Sequence, residues 1–136
     1  MNINKWKRLN TDEQNRILKN EKLSPDFIKK IWNNLTERQY CLVCTYQKLP
    51  IEFIKKIWKS LRNYYKEKIC MYQDLPMDFI EEVWKDLSQY QRDYIVTYQN
   101  LNLDFIKKVW KELDTGQRIF AKKKDPLIKF VMYNMK

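Results

Sequence analysis

Between residues 24 and 35 the apolar side chains are Phe27, Ile28, Ile31, Trp32 and Leu35, while Asp26, Lys29, Lys30 and Asn33 fall among them. At about 100° per residue the apolar set covers roughly 140° of a helical wheel, the width of one packed stripe. The spacing predicts an amphipathic helix. The same pattern returns as FIKKIW at 27–32, FIKKIW at 53–58, FIEEVW at 79–84 and FIKKVW at 105–110, each 26 residues after the last with no insertion. Leucine recurs at Leu23, Leu49, Leu75, Leu101 and Leu127, and again at Leu9, Leu35, Leu61, Leu87 and Leu113. Tryptophan recurs at Trp6, Trp32, Trp58, Trp84 and Trp110. A period in this range is the mark of stacked repeats, none of which can bury its apolar face alone.

Each repeat divides into two helices of about 11 residues, roughly 16 Å long at 1.5 Å per residue. Pro25, Pro50 and Pro76 fall where the first helix begins, and Asp26, Glu52, Asp78 and Asp104 put negative charge at the positive end of its dipole. The second helix is announced by Asn10, Thr36, Ser88 and Asp114, followed three residues later by Glu13, Gln39, Gln91 and Gln117. These are capping boxes, in which cap and third residue satisfy each other's backbone N–H. Arg62 interrupts the series, and Asn63 is the substitute cap expected there. The fold expected is all-α: a short α-solenoid of about four 26-residue helical hairpins with terminal capping helices, forming one domain over 1–136. Its parts are a half repeat (1–22), repeats at 23–48, 49–74, 75–100 and 101–126, and a capping helix (127–136) running through Leu127, Phe130, Val131 and Met135.

Composition agrees with this. One glycine and four prolines in 136 residues argue against a sheet protein with many tight turns and against disorder. No apolar run is long enough for a membrane span, and MNINKWKRLN lacks the apolar stretch of a secretion signal, so a soluble cytoplasmic protein with no membrane partner is expected. Cys41 and Cys44 form a CxxC, but Cys44 shares its repeat position with Leu18, Cys70 and Val96, which reads as a small core hydrophobe. With no histidine and no second CxxC, no metal site is expected. Cys44 and Cys70 sit on adjacent stacked helices, too far apart for an unstrained disulfide. The Trp column lies inside the apolar stripe and reads as core. Gln47, Gln73 and Gln99 follow Tyr46, Tyr72 and Tyr98 on the inner face of the second helix, where their amides are expected to bind backbone at the turn between repeats.

The units YQKLPIEFIKKIW at 46–58 and YQDLPMDFIEEVW at 72–84, with LSPDFI at 23–28, resemble short helical tandem repeats of bacteriophage and giant-virus proteins that read yQxLsxdFI followed by a Trp. The resemblance covers about residues 20–115. It implies a virus-encoded interaction protein, in its most concrete form an anti-CRISPR-like inhibitor of a host defence complex such as CRISPR-Cas, acting in the host cytoplasm. It brings no catalytic residues with it.

The residues themselves point away from catalysis. There is no histidine base, no Gly-rich phosphate loop and no non-repeating cluster of acid, base and nucleophile, and no cofactor is called for. The net charge of +10 suggests nucleic acid, but Lys, Ile, Asn and Tyr all have AT-rich codons, and that composition alone raises basicity. The charge also breaks along the chain: the four repeats carry +2, +3, −3 and +3, whereas tracking phosphates calls for a continuous basic ridge. Glu81 and Glu82 replace the pairs Lys29 and Lys30, Lys55 and Lys56, and Lys107 and Lys108. A Glu81 to Lys85 pair does not account for the swap. Either the acidic repeat lowers repulsion between its neighbours, or it belongs to a patterned surface read by a protein. Tyr64, Tyr65 and Tyr90 stand at the starts of second helices, near Arg38, Arg62 and Arg92; an exposed Tyr there is an interface anchor, and a buried one is core. The first reading is a non-catalytic scaffold for a protein partner, and the second an RNA- or DNA-binding module using the lysine ridges. A monomer is expected, with weak self-association through an uncovered stack end near Trp6 as the variation.

Overall fold

The computed structural model describes residues 1–125 together with 127 and 128. The chain is all-α, built of helical hairpins that follow one another in order as in a short α-solenoid, and it divides into two compact units, Met1–Gln73 and Asp74–Lys136. The first unit contains α1 (Ile3–Arg8), α2 (Thr11–Asn20), α3 (Pro25–Ile31), α4 (Glu37–Tyr46), α5 (Ile51–Ile57) and α6 (Asn63–Tyr72). The second contains α7 (Met77–Val83), α8 (Gln89–Tyr98), α9 (Leu103–Val109) and α10 (Thr115–Lys124).

The first helix of each hairpin is shorter than the apolar pattern implies. It runs as α-helix for seven residues and then tightens into a 3₁₀ turn: Trp32–Asn34, Trp58–Ser60, Trp84–Asp86 and Trp110–Glu112. The repeated Trp and the Leu three residues later must both reach the core, and a winding of three residues per turn puts them on one side. Trp32 and Leu35 are both buried, as are Trp84 and Leu87. The second helices are ten residues long, and α2, α4, α8 and α10 each begin with a complete capping box. At α6 the N-cap is Arg62, which makes no side-chain cap bond, and Asn63 is the first helical residue and not the substitute cap.

Hairpins with almost no glycine are explained by how the second helices end. At Gln47, Gln73 and Gln99 the chain leaves in extended conformation, with no positive φ, so no left-handed residue is needed. The helix-end carbonyls are satisfied by the next repeat instead. Gln47 Nε2 donates to the Leu18 and Glu21 carbonyls at 2.7 and 2.6 Å, and its Oε1 accepts from Leu23 N–H at 3.0 Å. Gln73 repeats this one hairpin later, donating to the Cys44 and Gln47 carbonyls and accepting from Leu49 N–H. In the second unit Gln99 accepts from Leu75 N–H at 3.1 Å. The Gln residues bind backbone between repeats, as the sequence predicts.

The core is the column of repeated apolar residues. Phe27, Ile28, Ile31, Phe53, Ile54 and Ile57 fill it in the first unit, and Phe79, Ile80, Val83, Phe105, Ile106 and Val109 in the second. All five tryptophans are buried, and each meets the next Phe edge-on where both lie in one unit: Trp6 with Phe27, Trp32 with Phe53 and Trp84 with Phe105, at 5.7, 5.3 and 5.2 Å between centroids. The leucine column does not extend to Leu127, which is 66% exposed, while Ile128 beside it is 2% exposed. Leu127 N–H is taken by the Asp125 carboxylate and Ile128 N–H by the Asp125 carbonyl, which turns the next residue inward. Pro126, Phe130, Val131, Met135 and the rest of the capping helix expected over 127–136 lie outside the described residues.

Candidate interaction surfaces

Two kinds of surface follow from burying one stripe of each helix. The first helices present charge. Lys29 and Lys30 on α3, Lys55 and Lys56 on α5, Glu81 and Glu82 on α7, and Lys108 on α9 are exposed; Lys107 is half-buried. Glu81 and Lys85 form no ion pair, because Lys85 lies in the 3₁₀ turn, where four-residue spacing no longer aligns side chains.

The second helices present aromatic and apolar groups. Tyr46, Tyr64 and Tyr72 in the first unit, and Tyr90, Tyr98, Ile119 and Phe120 in the second, are 46 to 68% exposed. Every large hydrophobic exposed to this degree among the described residues lies here, apart from Met1 and Leu127. Lysines attend the rings in the first unit: Lys68 Nζ lies 5.3 Å from the Tyr64 centroid and 5.9 Å from that of Tyr72, and Lys19 Nζ lies 5.8 Å from Tyr46.

Of the tyrosines that the sequence leaves open between interface anchor and core, Tyr64 and Tyr90 are exposed. Tyr65 is a correction. It is buried, with its hydroxyl donating to the Glu37 carbonyl at 3.2 Å and its ring 5.6 Å from Tyr40, because it occupies the inward position that Gln39, Gln91 and Gln117 hold in the other capping boxes. Burial, with the Glu37 carboxylate adding, raises its phenol above the ordinary range, and burial does the same at Tyr40. Arg38 is exposed. Arg62 pairs with Glu37 at 2.7 Å, but with both side chains about three-quarters exposed the pair contributes little. Arg92 is spent internally: its Nε and one terminal nitrogen donate to the Trp84 carbonyl at 3.3 and 3.0 Å, its guanidinium covers the Trp84 ring at 4.7 Å, and Glu112 lies 3.8 Å away. Arg118 closes the Trp110 turn in the same manner.

Tyr46, Tyr72, Tyr98, Ile119 and Phe120 were not singled out by the sequence. The helical wheel does not set the first three apart: at about 100° per residue Tyr46 falls between the buried Leu42 and Gln39 of α4, so its exposure is not legible from the period.

The three cysteines are free thiols, and burial pushes Cys44 and Cys70 up to about 12. Lys124 donates to the Gln99 carbonyl, and burial of its amine lowers it below the usual lysine range. Among the described residues no group of three or more Cys, Asp or Glu is placed to hold a metal ion, and no helix is long and apolar enough to cross a membrane. No family model, curated protein or solved structure matches the chain.

Proposed function

We propose that the protein is a non-catalytic binding scaffold whose second helices carry a protein partner on their aromatic face. The supporting observation is that within each unit the exposed large apolar side chains sit mostly on the second helices, Tyr64 and Tyr72 standing out from α6 and Tyr90 and Tyr98 from α8. A tyrosine offers large contact area for the loss of few rotamers, and its hydroxyl tolerates water before the partner arrives. The charged face of the first helices then acts on approach and orientation, where alternating sign is useful to a protein interface and harmful to a phosphate tracker. In its most specific form, which the resemblance to viral repeats alone supplies, the partner belongs to a host defence complex such as CRISPR-Cas.

The test is capture from host-cell lysate, with and without nuclease, by the native protein, by Tyr64→Ala/Tyr90→Ala/Tyr98→Ala, and by Lys29→Gln/Lys30→Gln/Lys55→Gln/Lys56→Gln. One stoichiometric protein that survives nuclease and is lost with the tyrosines supports the scaffold. Material that disappears with nuclease and with the lysines replaces it by the nucleic-acid reading. The double change Glu81→Lys/Glu82→Lys separates the two again, since it completes a basic ridge and tightens phosphate binding at low salt.

A further inference from the structure

The net charge of +10 is not spread evenly over the chain. The first unit, Met1–Gln73, holds 16 Lys and Arg against 7 Asp and Glu, a net +9, whereas the second, Asp74–Lys136, holds 11 against 10, a net +1. Codon bias acts on both halves alike, so it does not produce this division. Within the first unit the excess also keeps to one set of helices. The second helices α2, α4 and α6 come close to balance at 0, 0 and +1, while α1 carries +3, α3 +1, and α5 with its 3₁₀ turn +2.

These cations are not used within the fold. Lys29, Lys30, Lys56 and Lys59 are exposed, and none forms an ion pair among the described residues. The acids on the same helices, Asp26 and Glu52, stand in the first turns of α3 and α5, where the helix dipole favours them. The dipole also favours a cation in the last turn, but about half a charge is answered by one lysine of each pair and leaves the other, with Lys59, unexplained. Between α3 and α5 the face holds a groove of about 390 Å³. Its floor is apolar, with the buried Trp32 and Phe53 packed edge to face and Ile57 beside them. Lys29 from one helix and Lys56 from the other stand at its rim, together with Glu52.

We infer that the first-helix face of the first unit is the docking surface for an acidic segment of the protein partner, resting on the scaffold reading above. The rest of the face decides for carboxylates over phosphates. Trp32 and Phe53 are 9 and 6% exposed, so neither gives a base a ring to stack on, and the exposed tyrosines of this unit belong to the second helices. A second copy of this chain would bring acid only as the −3 of α7 and its turn, on a molecule of net +10. A segment with acids on either side of an apolar residue matches lysines across an apolar floor. The probe is an acetylated peptide repeating Glu-Glu-Leu, set against a Gln-Gln-Leu peptide and an oligo(dT) of equal charge. Each is titrated into the intact chain while its backbone amide resonances are followed. Saturable shifts centred on α3 and α5 with the acidic peptide, weakening as salt rises, are expected. Lys29→Glu/Lys56→Glu should bind it about tenfold more weakly, with Lys29→Gln/Lys56→Gln between. Lys108→Glu/Lys111→Glu, which lowers the net charge equally in the second unit, should stay within about twofold, since charges beyond about 8 Å are screened. Unchanged resonances away from the substitutions certify that each variant folds. Absent or non-saturating shifts, equal shifts with the Gln peptide, equal losses in the two reversal variants, or tighter binding of oligo(dT) overturn the inference. So does self-association in sedimentation that Lys29→Glu/Lys56→Glu abolishes. In lysate capture, a nuclease-resistant partner lost with the three tyrosines but kept by Lys29→Glu/Lys56→Glu overturns the docking face and leaves the scaffold standing.

Discussion

Replacing Gln47 by leucine tests the link that holds consecutive hairpins together. The amide accepts from Leu23 N–H and donates to the Leu18 and Glu21 carbonyls, all within 3.0 Å, and the residue is 3% exposed. Leucine fills much the same volume but leaves those three groups without their partner. Leu18 is fully buried and Leu23 nearly so, whereas Glu21 is exposed and water can take its carbonyl. Two buried orphans at about 1 to 3 kcal/mol each, less about 1 to 2 kcal/mol for the added apolar burial, give a net loss centred on about 2.5 kcal/mol. Urea unfolding followed by circular dichroism measures this, with an unchanged slope showing that the unfolded state is the same. Lys48→Ala, at an exposed position beside it, serves as control and should stay within about 0.5 kcal/mol. Gln47→Glu adds a pH signature. An ionised carboxylate would face two carbonyls, so its folded-state pKa is raised; stability is present below the unfolded value near 4.3 and is lost as pH rises. A loss below about 1 kcal/mol in Gln47→Leu, or a flat pH profile in Gln47→Glu, refutes the claim that these bonds join the repeats.

Three further outcomes follow from the same structure. Arg62→Ser supplies the missing cap of α6 and should raise the unfolding free energy by about 0.5 to 1 kcal/mol, the exposed pair with Glu37 being a small loss. Gly116→Ala should raise stability by up to about 1 kcal/mol in the same assay, since nothing in the fold requires glycine there. Alkylation with iodoacetamide at pH 8, read by mass spectrometry, should modify the half-exposed Cys41 and spare Cys44 and Cys70 until the protein is unfolded. Because burial raises those two thiols from 9.0 to about 12, the folded state holds protons that the unfolded state releases; stability is complete below about pH 9 and declines above it, less steeply in Cys44→Ala/Cys70→Ala.

The parts of the fold legible in the sequence are those that every repeat must solve alike. Capping boxes at Asn10, Thr36, Ser88 and Asp114, the buried tryptophans and the backbone-binding glutamines could be read because four or five copies state them together. The 3₁₀ turn after each Trp was not legible, since an apolar residue at Leu35 fits an α-helical stripe as well as a 3₁₀ one. Tyr65 was misread for a related reason: it stands where a capping-box Gln belongs, and with the box already broken at Arg62 its inward position had no local mark. Leu127 shows the limit of periodicity at a chain end. Its spacing is right, but Asp125 captures its N–H and passes the buried place to Ile128.

Stacking fixes the core columns, so the positions that vary from repeat to repeat are the ones free to be shaped by a partner. At one such position the chain reads Arg38, Tyr64, Tyr90 and Gly116. The first three are large and exposed, while the fourth carries no side chain. Of these only Arg38 is a good helix former; tyrosine is a poorer one and glycine poorer still. On the first helices the equivalent freedom is used for charge, with Glu81 and Glu82 amid lysine pairs and without an ion pair to Lys85 that would make the change a matter of helix stability. Local energetics therefore explain neither departure. A partner that must find one orientation along a repeating surface needs landmarks that the repeat itself erases. The acidic face of α7 would give a basic surface of the partner one such landmark.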